Sequence, residues 1–245
     1  MGLREEFEAT GIWLFRHRGY LPLLLSPVLL IAAVSSDPMP DRRLELAWEG
    51  SCLLLALGGL VLRAATIGFA PRATSGRGTG GPRAETLTTS GFYSVVRHPL
   101  YVGNYLMWLG VALFTRTWWA PIIMSLAFWL YYERIMFAEE EFLRRQFGEA
   151  YLSWAAVTPA FLPRLDRWRP PEASFSSLTV LRREPSSLLA LVTVLSALEI
   201  ASDHAATGAL TLDPVWGGLL AVTLVVCLAA RTIKHRTRLL HVEGR

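Results

Sequence analysis

Lysine is nearly absent from this chain. Lys234 is the single one among 24 lysines and arginines, a skew that fits a GC-rich coding bias and a bacterial source. Cysteine is almost as scarce. Cys52 and Cys227 both fall inside apolar runs, so neither a disulfide framework nor a metal site is implied. Charge is sparse as well: 18% of residues are charged, 52% are hydrophobic, and the mean hydropathy is +0.35. That is too apolar for an ordinary soluble domain of this size. A convincing signal peptide is also missing. The first apolar run starts well inside the chain, and the 35-SSDPMPDRR-43 that follows it is a weak cleavage site. The formal charge of +4 gives no case for a nucleic-acid partner, and no internal repeat stands out.

What the chain does contain is six apolar runs, at 20–36, 44–70, 100–115, 118–137, 186–202 and 214–230. A helical span needs roughly 17–25 residues, so several are at the short limit. The expectation is an all-α, polytopic membrane bundle of about six spans. With the N-terminus inside, the inside segments collect most of the arginines, while the outside segments keep only Arg42, Arg43 and Arg116. Basic residues favour the cytoplasmic side, so both termini are expected in the cytoplasm, in a bacterial inner membrane. The chain divides into two N-terminal spans (1–70), a core (71–163), an interfacial linker (164–185), and two C-terminal spans with a basic tail (186–245).

Two inside segments are long. The first opens with 71-PRATSGRGTGGPRAE-85, which reads as a flexible loop. Its Gly76-x-Gly78-x-x-Gly81 spacing matches a dinucleotide fingerprint, but no strand precedes it and Pro82 follows immediately. The second begins with 138-AEEEFLRRQFGEAYLSWAAVTPAFLP-163. The spacing of Phe142, Phe147, Tyr151 and Trp154 predicts an amphipathic helix continuing span four. Gly148 allows a break in it, and Pro159 and Pro163 end the pattern. In the C-terminal pair, Glu199 reads as a satisfied or water-facing edge residue.

Two polar clusters are expected on one membrane face. One is 85-ETLTTSGFYSVVRHPLY-101. The other comprises Glu133, Arg134, Glu139, Glu140 and Glu141. If they meet at the mouth of a bundle, carboxylates can take an ammonium, arginine a carboxylate, and tyrosine an aromatic base. Residue types alone leave a ligand site and a solvated charged flank equally open.

The ordered set Gly91, Tyr93, Arg97-His98-Pro99, Tyr101, Gly103, Glu139-Glu140, Phe147-Gly148, Tyr151 and Pro163 resembles the isoprenylcysteine carboxyl methyltransferase family. It is also similar to the related membrane phospholipid methyltransferases. The resemblance covers roughly 85–163. It implies a small helical membrane protein with a cytoplasm-facing pocket, S-adenosylmethionine as methyl donor and a lipid or isoprenoid acceptor. By the same resemblance, Glu85, Thr86, Leu87, Thr88, Tyr93, His98, Pro99, Leu100, Tyr101, Glu139 and Glu140 bind the cofactor. Arg134 and Arg97 are the catalytic candidates that hold an anionic acceptor. Arg134 lies five residues before Glu139 where the family has four, and Ile135 occupies the aligned place. Trp154 stands where the family often has tyrosine. The alternative is a membrane sterol or steroid reductase using NADPH, which shares the RHP-x-Y-x-G block. Those proteins commonly carry an acid where this chain has Asn104.

Overall fold

The computed structural model describes residues 2–71 and 84–236, with side chains to 234. The glycine-rich loop with its rejected fingerprint and the end of the basic tail lie outside the described residues. Nine helices form among those described: α1 (Leu3–His17), α2 (Ser26–Val34), α3 (Arg42–Phe69), α4 (Pro99–Phe114), α5 (Trp119–Phe147), α6 (Glu149–Val157), α7 (Ser177–Arg183), α8 (Pro185–Thr207) and α9 (Pro214–Arg236). Local chemistry sets several starts. The Asp41 carboxylate accepts from the Arg43 amide to cap α3. Proline opens α4, α8 and α9, where its missing N–H has no intrahelical partner to lose.

All six apolar runs are helical, but they are not six equal spans. Among the described residues, three helices are long and apolar enough to cross a membrane: Arg42–Phe69, Pro185–Thr207 and Pro214–Lys234. The first run is broken. Residues Leu21–Leu25 form a 3-10 turn leading into α2, and this piece meets α1 at 89°. α4 has 16 residues, roughly 24 Å at 1.5 Å per residue, short of a hydrocarbon core of about 30 Å. α5 has 29 residues; its first part is apolar and its last part, from Glu139 on, is charged. The charged stretch continues the same helix, as the amphipathic pattern predicts. Gly148 then breaks it at φ 51°, and α6 turns away.

Between lipid-covered helices the hydrophobic effect gives little drive, so close packing and polar contacts must hold them together. α3 and α4 meet backbone to backbone. A Cβ on Gly59 would stand 2.4 Å from the Gly103 carbonyl oxygen, and one on Gly103 would stand 2.6 Å from that of Gly59. Gly103 is the last glycine of the RHP block, so its place in the motif is explained by this crossing. One core joins α2, α3, α4, α8 and α9 through residues such as Ala33, Ala56, Ala112, Leu195 and Trp216. A second joins α1, α4 and α5 around Phe128, Tyr132 and Ile135.

The end of the bundle remote from the RHP block carries its own polar network. Arg116 donates to Glu45 (2.7 Å) and Arg42 to Glu45 (2.8 Å) and Asp213 (2.5 Å). Trp216 Nε1 donates to the buried Glu49 at 3.0 Å. Glu199 is not a water-facing edge residue. It is 3% exposed, and only its Oε1 has a partner, the Asp213 amide at 3.3 Å.

Candidate functional site

The RHP block sits at the junction of a loop and α4, and a second loop is zipped onto it. Gly91 and Arg97 donate their amides to the Arg169 and Pro159 carbonyls at 2.9 and 2.8 Å. His98 donates to Ala160 at 3.2 Å, and Arg164 returns a bond to Val95 at 2.9 Å. The Trp154 indole donates to the Tyr93 carbonyl at 3.1 Å, so the residue that departs from tyrosine fastens α6 to the same loop.

The side chains extend this zipper into an ionic clamp. Arg97 donates to both oxygens of Glu140, at 2.9 and 3.3 Å, and to the Ala155 and Thr158 carbonyls at 3.0 and 2.8 Å. It thereby satisfies carbonyls at the C-terminal end of α6. The His98 ring lies between two acids, with Nε2 2.9 Å from Glu140 and Nδ1 3.5 Å from Glu139. Tyr101 donates its hydroxyl to Glu139 at 2.8 Å. Burial disfavours a charged His98, yet its bonds to Glu139 and Glu140 outweigh that and raise its pKa. Burial likewise pushes Glu140 up, but the His98 and Arg97 contacts win and hold it down at about 2. Burial raises the Tyr93 phenol, and Glu139 adds to the effect.

Beside this clamp lies a cavity of about 280 Å³, near the lower end of the roughly 300–1,000 Å³ typical of small-molecule sites. Thr86, Leu87, Thr88, Tyr93, Arg97, His98, Pro99, Leu100, Tyr101 and Glu139 all line it. Glu85 is exposed and is not among the lining residues. Glu140 holds Arg97 and His98 without lining the space. Arg134 is elsewhere: its guanidinium stacks on the Phe7 ring of α1 at 3.5 Å. Ile135, in the aligned place, is fully buried among the aromatic residues of the second core. The charged run therefore splits three ways. Glu139 and Glu140 meet the RHP block, Glu141 pairs with Arg4 of α1 at 2.5 Å, and Glu133 is exposed.

Three further segments contribute walls. α1 and the residue after it bring Phe15 and Arg18; α3 brings Arg63 and Ile67; and the end of α7 brings Arg183 and Glu184. Arg63 donates to Glu184 at 2.9 and 3.2 Å and to Asn104 at 2.5 Å, and Asn104 donates to the Tyr132 hydroxyl at 2.8 Å. An arginine inside an apolar run is itself a signal, because an ionisable residue at membrane depth needs a partner or a role. Arg18 and Glu184 carry no such signal, since they sit in polar stretches that look like ordinary flanks.

A family model described as phospholipid methyltransferase matches residues 50–150. The chain is 34% identical over 157 residues to the nickel-cobalt-cadmium resistance protein NccN of Alcaligenes xylosoxydans xylosoxydans, covering 64% of this chain and 70% of that protein. The chain belongs to the isoprenylcysteine carboxyl methyltransferase and phospholipid methyltransferase family. The cobalt-zinc-cadmium resistance protein CzcN of Cupriavidus metallidurans is 41% identical over 125 residues, covering 50% of this chain and 56% of that protein. The protein-S-isoprenylcysteine O-methyltransferase of Schizosaccharomyces pombe is 31% identical over 77 residues, 31% of this chain and 33% of that enzyme. The chain thus spans about half the length of the first of these last two and a third of the second. No solved structure matches. These matches do not favour the NADPH-reductase alternative. Asn104, where reductases commonly have an acid, is held between Arg63 and Tyr132.

Proposed function

We propose that this protein is an integral-membrane methyltransferase that uses S-adenosylmethionine and modifies a lipid-like acceptor. The observation that carries the proposal is the coincidence of the RHP block, residues 86–88 and Glu139 on the wall of one cavity beside the apolar layer. The cofactor's chemistry fits this wall. Thr88 Oγ1 is buried and has no hydrogen-bond partner among the described residues, so it is left for a ligand. Glu139 faces the same space with an acceptor set suited to an ammonium or a ribose, and Tyr93 and Tyr101 offer ring surfaces. Thr86, Leu87 and Thr88, together with His98, Pro99, Leu100 and Tyr101, would complete its seat. Glu140 is assigned to holding His98 and Arg97, and Glu85 contributes from the rim.

S-adenosylmethionine, when bound, supplies a methyl group already activated on a sulfonium centre. The chain is then left with alignment and the exclusion of water. The His98 ring, pinned between two carboxylates, fixes Glu139 and the start of α4. Arg97, spent on Glu140 and α6, acts as a positioning residue that keeps the second loop closed. Arg134, stacked on Phe7, positions α1 from outside the cavity. A carboxylate or phosphate acceptor needs no general base, because it is already ionised. By its basic-residue pattern the cavity opens to the cytoplasm, with both termini on that side of a bacterial inner membrane.

Calorimetry on detergent-purified protein with S-adenosylhomocysteine and, separately, NADPH tests the reading. Binding of the first and not the second is expected, and Glu139→Ala should weaken it at least about tenfold, the order for a lost charge-assisted bond. NADPH binding alone would overturn the transferase. Full affinity in a folded Glu139→Ala variant would remove Glu139 from the site.

A further inference from the structure

The charges around the cavity do not cancel residue by residue. Arg97 is matched by Glu140, and Arg63 by Glu184. Glu139 is shared by His98 and Tyr101. Arg18 is different. The residue lines the cavity; its guanidinium sits 3.7 Å over the Phe15 ring and donates to the Phe15 carbonyl at 3.1 Å, and it has no carboxylate partner among the described residues. Tyr101 and Phe15 line the same cavity. A guanidinium held beside an apolar layer is costly unless an anion meets it. Its planar fork matches carboxylate and phosphate oxygens in pairs. Arg18 also lies outside residues 50–150, the stretch that the family model matches.

We propose that Arg18 is a specificity-determining residue that receives an anionic oxygen group, carboxylate or phosphate, at the polar end of an otherwise apolar acceptor. This rests on the methyltransferase reading and narrows it. An ammonium-bearing acceptor would be repelled from the same place, so amine lipids are disfavoured. An oxyanion acceptor is ready to react without losing a proton, which agrees with a cavity whose one histidine is committed to two carboxylates. The bland alternative is that Arg18 only caps α1, since a cation at a helix C-terminus is favourable by itself.

The full chain, immobilised in detergent, is offered tritiated palmitate, palmityl phosphate and palmitylamine, each counted against protein-free beads, with S-adenosylhomocysteine binding measured in parallel. The expected result is that at least one acid binds better than the amine. Arg18→Gln should weaken that acid at least about tenfold, the order for one charge-assisted pair, with the homocysteine form bound as before. Arg18→Lys keeps the charge and the helix cap but loses the fork. It should weaken the acid severalfold, and it serves as the deciding variant if Arg18→Gln does not fold. Whichever of palmitate and palmityl phosphate binds better names the anion. Acid binding unchanged in the deciding variant overturns the proposal. So does equal or better binding of the amine by the parent protein, or failure of either acid to bind it. Parallel loss of acid and homocysteine-form binding overturns it too, because Arg18 would then be a strut. If the parent protein binds acid through Arg18 but never binds the homocysteine form, the cofactor reading fails and the anion seat stands.

Discussion

Glu140 shows how much one residue can hold. It ionises at about 2 in the folded chain instead of the ordinary 4.5. A depressed carboxylate stabilises the fold above its ordinary range and loses that contribution as pH falls from 4.5 toward about 2. The shift corresponds to on the order of 3 kcal/mol, shared with His98 and Arg97 and not added to theirs. His98 has the opposite sign. Its raised pKa gives stability that is complete below the ordinary 6.5 and fades as pH climbs past the elevated value. Thermal unfolding across pH should therefore show its optimum between 4.5 and 6.5. Glu140→Gln should flatten the acid limb, and a wild-type acid limb that persists in the variant would contradict the clamp. Trp216 gives a second residue-level expectation. Trp216→Phe leaves Glu49 buried without its 3.0 Å donor, at a cost of about 1–3 kcal/mol, read as a lower midpoint in the same unfolding assay.

Among the elements, the α3–α4 crossing is the least forgiving. Gly59→Ala or Gly103→Ala puts a methyl where the facing carbonyl already stands, and overpacking of this kind costs about 1–3 kcal/mol. Arg63, one turn from Gly59 on the same face, would shift with α3, so weaker S-adenosylhomocysteine binding should accompany the lower midpoint. Gly148 is the second such place. At φ 51° and ψ −124° it occupies backbone space that side chains avoid, and Gly148→Ala should cost about 1–3 kcal/mol. Most helices were legible in the sequence because long apolar runs and opening prolines mark them directly. The turn at Gly148 was legible for the same reason, as a glycine within a periodic pattern. The packing of α1 on α5 was not. α1 has a short inward face at Phe7, Gly11 and Phe15, set among acids and arginines, and which helix that face meets depends on long-range pairs such as Arg4–Glu141, Glu8–Arg145 and Phe7–Phe137. The site divides in the same way. The RHP block and Glu139 stand in one ordered motif, whereas Arg18, Arg63 and Glu184 reach the cavity from segments far apart in the chain.

At the scale of the molecule, the two ends of the bundle are chemically distinct. One holds the cavity and the ionic clamp; the other holds Arg42, Arg116, Glu45 and Asp213. Leu165 and Leu210, 77% and 78% exposed, report on the two ends. In intact cells, a cysteine at Leu210 should react with an impermeant maleimide, and one at Leu165 only after permeabilisation. The reverse pattern would invert the orientation drawn from the arginines.

The zipper between the two loops has a consequence for how the protein is made. His98 waits for Ala160, Val95 for Arg164, Gly91 for Arg169 and Arg63 for Glu184. A ribosome adds on the order of 5–20 residues per second. The first half of the chain therefore spends seconds in the bilayer with Arg63 and the RHP block exposed before their partners are synthesised. During that interval the nascent helices depend on lipid headgroups, or on the insertion machinery, to shield those charges. The walls of the cavity are complete only once the chain has been made through Glu184.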